Sequence, residues 1–278
     1  MDPLLAPTDS ELEALLAVAI EVAESCGRLV VEARPAHVEV AGTKTSAVDI
    51  VTEMDRRSED LARRLLADLR PHDGVVGEEG ADRRGTTGIT WLVDPIDGTV
   101  NYLYDNGEYA VSVAAVLGDA RDDGGFWPVV GAVFNPASGE LFSARRGGGA
   151  HLVRGEESRV LRASPAEQLS GSLVGTGFGY DAAVRARQGE AVARLLPHIR
   201  DIRRHGAASL DLCAVAAGRL DAYYESGLNP WDHAAAWVVV EEAGLVVRGP
   251  NGGRPTRTLT LAGRPATLDQ VEALIQVG

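Results

Sequence analysis

Apolar residues recur along the chain with two periods, and the switches between them mark out the elements. Over residues 9 to 33, Leu12, Leu15, Leu16, Ala19, Ile20 and Ala23 fall on one face at helical spacing, with Asp9 or Ser10 placed to cap the start. A polar stretch, AGTKTSAVDIV, follows, and a second helix is predicted from near Thr52 to about Arg70, just ahead of Pro71. DGVVGEEG predicts a short strand that ends in acids, and GITWLVDP a strand broken by Pro95. Residues 109 to 117, 126 to 135 and 140 to 144 read as strands of an antiparallel sheet, joined by Gly-rich or Asn-Pro turns.

The pattern changes near residue 150. SLVGTGFGY predicts a strand with a glycine-rich exit, residues 182 to 196 a helix, and GAASLDLCAVAAG an apolar helix that Gly218 ends. DAYYES reads as a strand, WDHAAAWVVVEEAG as a helix stopped by Gly244, TLTLA as a last strand and TLDQVEALIQ as a last helix. Helix pairs mixed with runs of strands predict stacked layers of sheet and helix. The 278 residues suffice for one large domain with a substantial core.

Composition narrows the function. A net charge of −13 argues against a nucleic-acid groove, yet it leaves room for a phosphorylated substrate if metal cations supply positive charge locally. No apolar run reaches about 18 residues, so no membrane span is expected. The opening MDPLLAPTDSELEALL has early acids and no basic segment, unlike a signal peptide. Cys26 and Cys213 sit in helix-like patterns, as buried reduced thiols of a cytoplasmic protein would. Lys44 is the only lysine among 27 basic residues, which singles it out for a role.

Candidate chemistry gathers in acids at the ends of elements: Asp55 in VTEMD, Glu78 in VGEEG, Asp94 and Asp97 in VDPIDGT, and Asp232 in NPWDHAA. Hard divalent cations take oxygen ligands, and the spacing of Asp94 and Asp97 lets one carboxylate bridge two ions while the Ile96 carbonyl adds an oxygen. Two such ions suit in-line phosphoryl displacement. Gly98 and Thr99 then open a helix: Gly98 permits close approach of a phosphate to the backbone, and Thr99 offers a hydroxyl to an attacking water.

GEEG at 77 to 80, WLVDPIDGTVNY at 91 to 102 and WDHAAAWVVVEEAG at 231 to 244, flanked by KTSAVDIVTEMD and GAASLDLCAVAAGRLDAYYE, resemble the inositol monophosphatase family of Mg²⁺-dependent, lithium-sensitive phosphatases, from about residue 10 to 275. The resemblance implies a layered α/β/α/β/α sandwich in a single domain. Its N-terminal half, to about 150, would carry most metal ligands; its C-terminal half, 151 to 278, would carry Asp232 and substrate contacts. A cytoplasmic homodimer with two or three Mg²⁺ per site is implied. Glu78, Asp94 and the Ile96 carbonyl would hold one ion, Asp94, Asp97 and Asp232 a second, and Glu78 with water a weaker third. Asp55, Thr99 and Glu78 would activate the water, and the Gly98 and Thr99 amides would bind phosphate. Asp97, the Ala208 backbone and Glu225 would meet the alcohol, with Lys44 as electrostatic support.

The substrate implied is a small phosphorylated polyol, inositol 1-phosphate first. Histidinol phosphate, fructose 1,6-bisphosphate and 3′-phosphoadenosine nucleotides are alternatives within the superfamily, and a non-catalytic binding or regulatory protein is a further one. Arg203, Arg204 and His205 stand where a second phosphate would need positive charge, whereas Glu225 favours a polyol or an amine. GTGFG at 175 to 179 lacks the helix and acid of a dinucleotide-binding unit and reads as a structural turn.

Overall fold

The computed structural model describes residues 7–43, 50–122, 124–163 and 168–276. Helix α1 (Asp9–Glu32) begins on a capping box in which Thr8, rather than Asp9 or Ser10, is the cap: its hydroxyl accepts the Glu11 N–H while the Glu11 carboxylate accepts the Thr8 N–H. Strands β1 (Val40–Thr43) and β2 (Ile50–Thr52) pair antiparallel in the segment expected to be merely polar. Helix α2 (Glu53–Leu69) opens on a second capping box, between Thr52 and Asp55.

A seven-stranded sheet follows: β3 (Gly74–Gly77), β4 (Ile89–Asp97), β5 (Ala110–Gly118), β6 (Phe126–Asn135), β7 (Glu140–Arg145), β8 (Ala150–Arg154) and β9 (Glu157–Leu161), in that spatial order. Short helix α3 (Thr99–Tyr104) leaves the end of β4. All pairings are antiparallel except β3 with β4. The sheet runs through Leu161, so the change of character read near residue 150 comes later.

The second half contributes β10 (Leu173–Thr176), α4 (Ala182–Leu195), β11 (Asp201–Arg203), α5 (Ala208–Ala216), β12 (Ala222–Glu225), α6 (Pro230–Glu242), β13 (Val246–Arg248), β14 (Thr260–Gly263) and α7 (Pro265–Ile275). Its five strands lie in the order β11-β10-β12-β14-β13. Helices α1 and α2 cover one face of the larger sheet, α5 and α6 fill the space between the sheets, and α4 and α7 back the smaller one. This is the layered α/β/α/β/α architecture that the resemblance implied. Because both faces of the larger sheet are covered at its centre, β4, β5 and β6 are buried along nearly their whole length: Trp91 and Val93 enter one core and Leu92 the other. No helix among the described residues is long and apolar enough to cross a membrane.

One sequence expectation is corrected at Pro95, which does not break the strand. Asp94 pairs with Ser112 and Asp97 with Ala110, three steps on β4 against two on β5, so the strand carries one extra residue there. A bulge tolerates a proline that has no N–H for the ladder. It also changes the facing of side chains. Residues three apart on a regular strand point to opposite faces, and the extra residue brings Asp94 and Asp97 to the same side.

Candidate active site

The bulge delivers the carboxylates into a cleft of about 500 Å³. Glu78 from the end of β3, Asp94, Ile96 and Asp97 from β4, Gly98, Thr99, Ala208 at the start of α5, Glu225 at the end of β12 and Asp232 in the first turn of α6 all line it. Asp55 lies behind the wall, fully buried, and accepts a hydrogen bond from Thr99 Oγ1 at 3.0 Å. Lys44 lies outside the described residues.

Each carboxylate is anchored by its own surroundings. Asp55 accepts the N–H of Thr52 at 2.8 Å and its hydroxyl at 2.5 Å. Asp94 accepts the Ile96 N–H at 3.1 Å, and Asp232 the Asn229 N–H at 2.7 Å, closing the capping box of α6. Asp97 sits on the N-terminus of α5, taking the Ser209 N–H at 2.7 Å, the Ser209 hydroxyl at 2.5 Å and the Ala208 N–H at 3.2 Å. Of the Ala208 backbone, expected to meet an alcohol, the N–H donates to Asp97. Among the described residues, no three His, Cys, Asp or Glu side chains are drawn together tightly enough to hold a metal ion. The structure brings the acids to one cleft without closing them into a cage.

Their electrostatics fit a hard cation. Burial pushes Asp97 up to about 6 against the pull of its Ser209 bonds, and Glu225 up to about 7 against the Tyr223 hydroxyl. Asp232 is raised well above the usual carboxylate range by burial, then by the negative charges of Glu78 and Asp97. Asp55 is raised by burial, with Thr52 and Thr99 opposing. Buried oxygens that repel one another are a donor set a divalent cation would satisfy.

Arg204 reaches the cleft, its guanidinium 6.0 Å from the Phe178 ring centre. Arg203 and His205 line a separate cavity of about 380 Å³ instead, where Arg203 pairs with Asp201 at 2.6 Å and His205 with Asp211 at 2.5 Å. The sequence reading missed Arg257, which lines the cleft beside Asn229, and Ser209. It also missed Asn101, whose amide donates to the carbonyls of Glu108 and His205 and ties α3 to the approach to α5. Ser209 had a signal, a hydroxyl in the first turn of a helix.

With this geometry in place, known proteins become comparable. The sequence model of the inositol monophosphatase family matches residues 11–274. The chain belongs to the inositol monophosphatase family. It is 42% identical over 240 residues to the inositol-1-monophosphatase SuhB of Mycobacterium tuberculosis, covering 84% of this chain and 80% of that protein. The solved structure of Mycobacterium tuberculosis SuhB superposes with a TM-score of 0.80 at 40% identity, over 96% of this chain and 98% of that one. The Nus factor SuhB of Escherichia coli is 34% identical over 241 residues, 86% of each chain. The family is one of metal-dependent phosphatases, which act on phosphorylated substrates.

Proposed function

We propose that this chain is a Mg²⁺-dependent phosphomonoesterase acting on a small polyol phosphate, inositol 1-phosphate foremost. One observation supports the reading: a single cleft is lined by all the oxygen donors expected for hard cations and, on another wall, by Glu225. Glu78, Asp94 and the Ile96 carbonyl are assigned to one ion, Asp94, Asp97 and Asp232 to a second, and Glu78 with water to a weaker third. Bound there, Mg²⁺ supplies Lewis acidity and offsets the charge of carboxylates and phosphate. The chain's own residues do the rest. Thr99 Oγ1, which lies 3.0 Å from Asp55 and 3.1 Å from the Ile96 carbonyl as its two acceptors, gives its proton to Asp55 in this reading and orients the attacking water through its lone pair, together with Glu78. The Gly98 and Thr99 amides hold phosphate oxygens, while Asp97, steadied by Ala208, and Glu225 take the hydroxyls of the alcohol.

A second reading rests on Arg204 and Arg257, two guanidinium-bearing side chains that line the same cleft and suit a substrate with a second anionic group, such as fructose 1,6-bisphosphate. The test is phosphate release from inositol 1-phosphate, fructose 1,6-bisphosphate, histidinol phosphate and 3′-phosphoadenosine 5′-phosphate, with Mg²⁺ and with a chelator. Preference for the bisphosphates would promote the second reading. No Mg²⁺-dependent release from any of them would leave a binding role, of the kind the name of the Escherichia coli relative suggests. A cytoplasmic homodimer belongs to the same proposal, and sedimentation of the pure protein checks the dimer.

A further inference from the structure

We infer that Glu59 is the positioning residue for Glu78. The inference rests on the phosphatase reading above, which gives Glu78 to the cation site. Glu59 lies on α2, only 2% exposed, and its two oxygens accept the N–H of Glu79 at 2.6 Å and of Gly80 at 2.8 Å. These are the two residues that follow Glu78, so the peptide carrying that carboxylate is pinned from behind. Arg63, one turn along α2, donates Nε to Glu59 at 2.7 Å and Nη1 to the Ala81 carbonyl at 2.9 Å. The pair therefore grips the loop by both donors and acceptors over residues 79 to 81.

The glycines that flank the acids fit the same purpose. A Cβ on Gly77 would lie 2.5 Å from the Glu59 carboxyl carbon, and one on Gly80 would lie 2.7 Å from Glu59 Oε1. Neither glycine has positive φ, so the need is for space, not for an unusual backbone. The motif GEEG is thus written around a carboxylate 18 residues or more upstream, which comes to rest in the gap. Residues Asp55, Ser58 and Glu59 occupy one face of α2 and serve three segments of the site. Asp55 accepts from Thr99, Ser58 Oγ donates to the Pro95 carbonyl at 3.1 Å, and Glu59 takes the Glu78 loop. A buried carboxylate is costly unless fully bonded, and Glu59 is bonded at both oxygens, to Glu79, Gly80 and Arg63. An apolar residue in its place cannot fix two successive N–H groups.

Glu59→Gln keeps the shape and replaces one acceptor oxygen with a donor. Calorimetric titration of the full chain with Mg²⁺ is expected to show affinity weakened by about 10- to 100-fold. Amide exchange of Glu79 and Gly80 should accelerate. The Mg²⁺ requirement for phosphate release should rise in parallel, excess Mg²⁺ should restore the rate, and substrate KM at saturating Mg²⁺ should hold. Gly80→Ala, which changes no charge, is the second variant and should shift Mg²⁺ affinity the same way if Glu59→Gln fails to fold. Wild-type Mg²⁺ affinity in a folded Glu59→Gln or Gly80→Ala, alongside a loss in Asp94→Asn, would overturn the role of Glu59 alone. Wild-type affinity in Asp94→Asn as well would overturn the cation site itself and this inference with it.

Discussion

Asp94 is 2% exposed, its carboxylate lines the cleft, and it accepts a short-range hydrogen bond from the Ile96 N–H. Asparagine can keep that bond through its amide oxygen while losing the charge. Asp94→Asn is therefore expected to fold normally and to lose at least about 100-fold in turnover, roughly 2.7 kcal/mol of barrier; near-normal turnover at saturating Mg²⁺ would remove Asp94 from the mechanism. His205 gives a residue-scale test by pH. Its hydrogen bond to buried Asp211 raises its pKa, burial opposes, Glu108 adds to the rise and Arg203 reduces it. The folded protein then holds a proton that an unfolded chain releases near about pH 6.5. The stabilisation is fully present below that pH and fades as pH climbs through the raised folded value. Melting temperatures of wild type and His205→Gln should differ most near about pH 5.5 and converge toward about pH 8.5. At its largest the difference in unfolding free energy should be no more than about 1 kcal/mol, because the His205 side chain is 35% exposed and solvent screens the pair. A gap that widens with pH would refute the charge assignment.

At the scale of elements, legibility followed the strength of the local signal. Helices α1, α2 and α6 carry apolar faces or runs with clear stops, and the sequence reading placed each within a residue or two. Strands β9 and β11 escaped it because they are short and largely exposed, with no apolar alternation to read. Pro95 was misread since breaker rules describe the ladder and know nothing of a bulge. The acids that line the cleft stood out in their motifs, and Ser209 had the signal of a hydroxyl in a first helical turn, whereas Ser58 and Glu59 had none, since each acts on a segment distant in sequence. The seating of α6 is a case of packing that only the structure reveals. A Cβ on Gly131 of β6 would lie 2.2 Å from the Ala235 carbonyl oxygen, so the helix bearing Asp232 rests directly on the sheet. Backbone cannot swing aside as a side chain does. Gly131→Ala should cost about 1–3 kcal/mol in a denaturant titration and weaken Mg²⁺ binding by lifting α6. Wild-type values for both would show that the layer accommodates the methyl without moving the site.

The whole molecule carries a net charge of −13 and concentrates part of it where it is least affordable, in a cleft where Glu78, Asp97 and Asp232 repel one another. Five layers of packing hold those acids together from β3, β4 and α6, and an unfolded chain has no such arrangement to offer a cation. Mg²⁺ should then bind the folded form alone and stabilise it by mass action, by about 2.7 kcal/mol at a hundredfold excess over its Kd. For a chain of this size that corresponds to a rise of roughly 5–10 °C in melting temperature. General screening of surface charge gives a competing explanation, which Na⁺ at matched ionic strength isolates. Thermal scans should therefore show a rise with Mg²⁺ well beyond that with Na⁺, and Asp232→Asn should lose the excess while keeping the Na⁺ response. An equal response to the two salts, or an Asp232→Asn protein that gains as much from Mg²⁺ as wild type, would mean that the repulsion in the cleft is relieved by something other than a bound divalent ion.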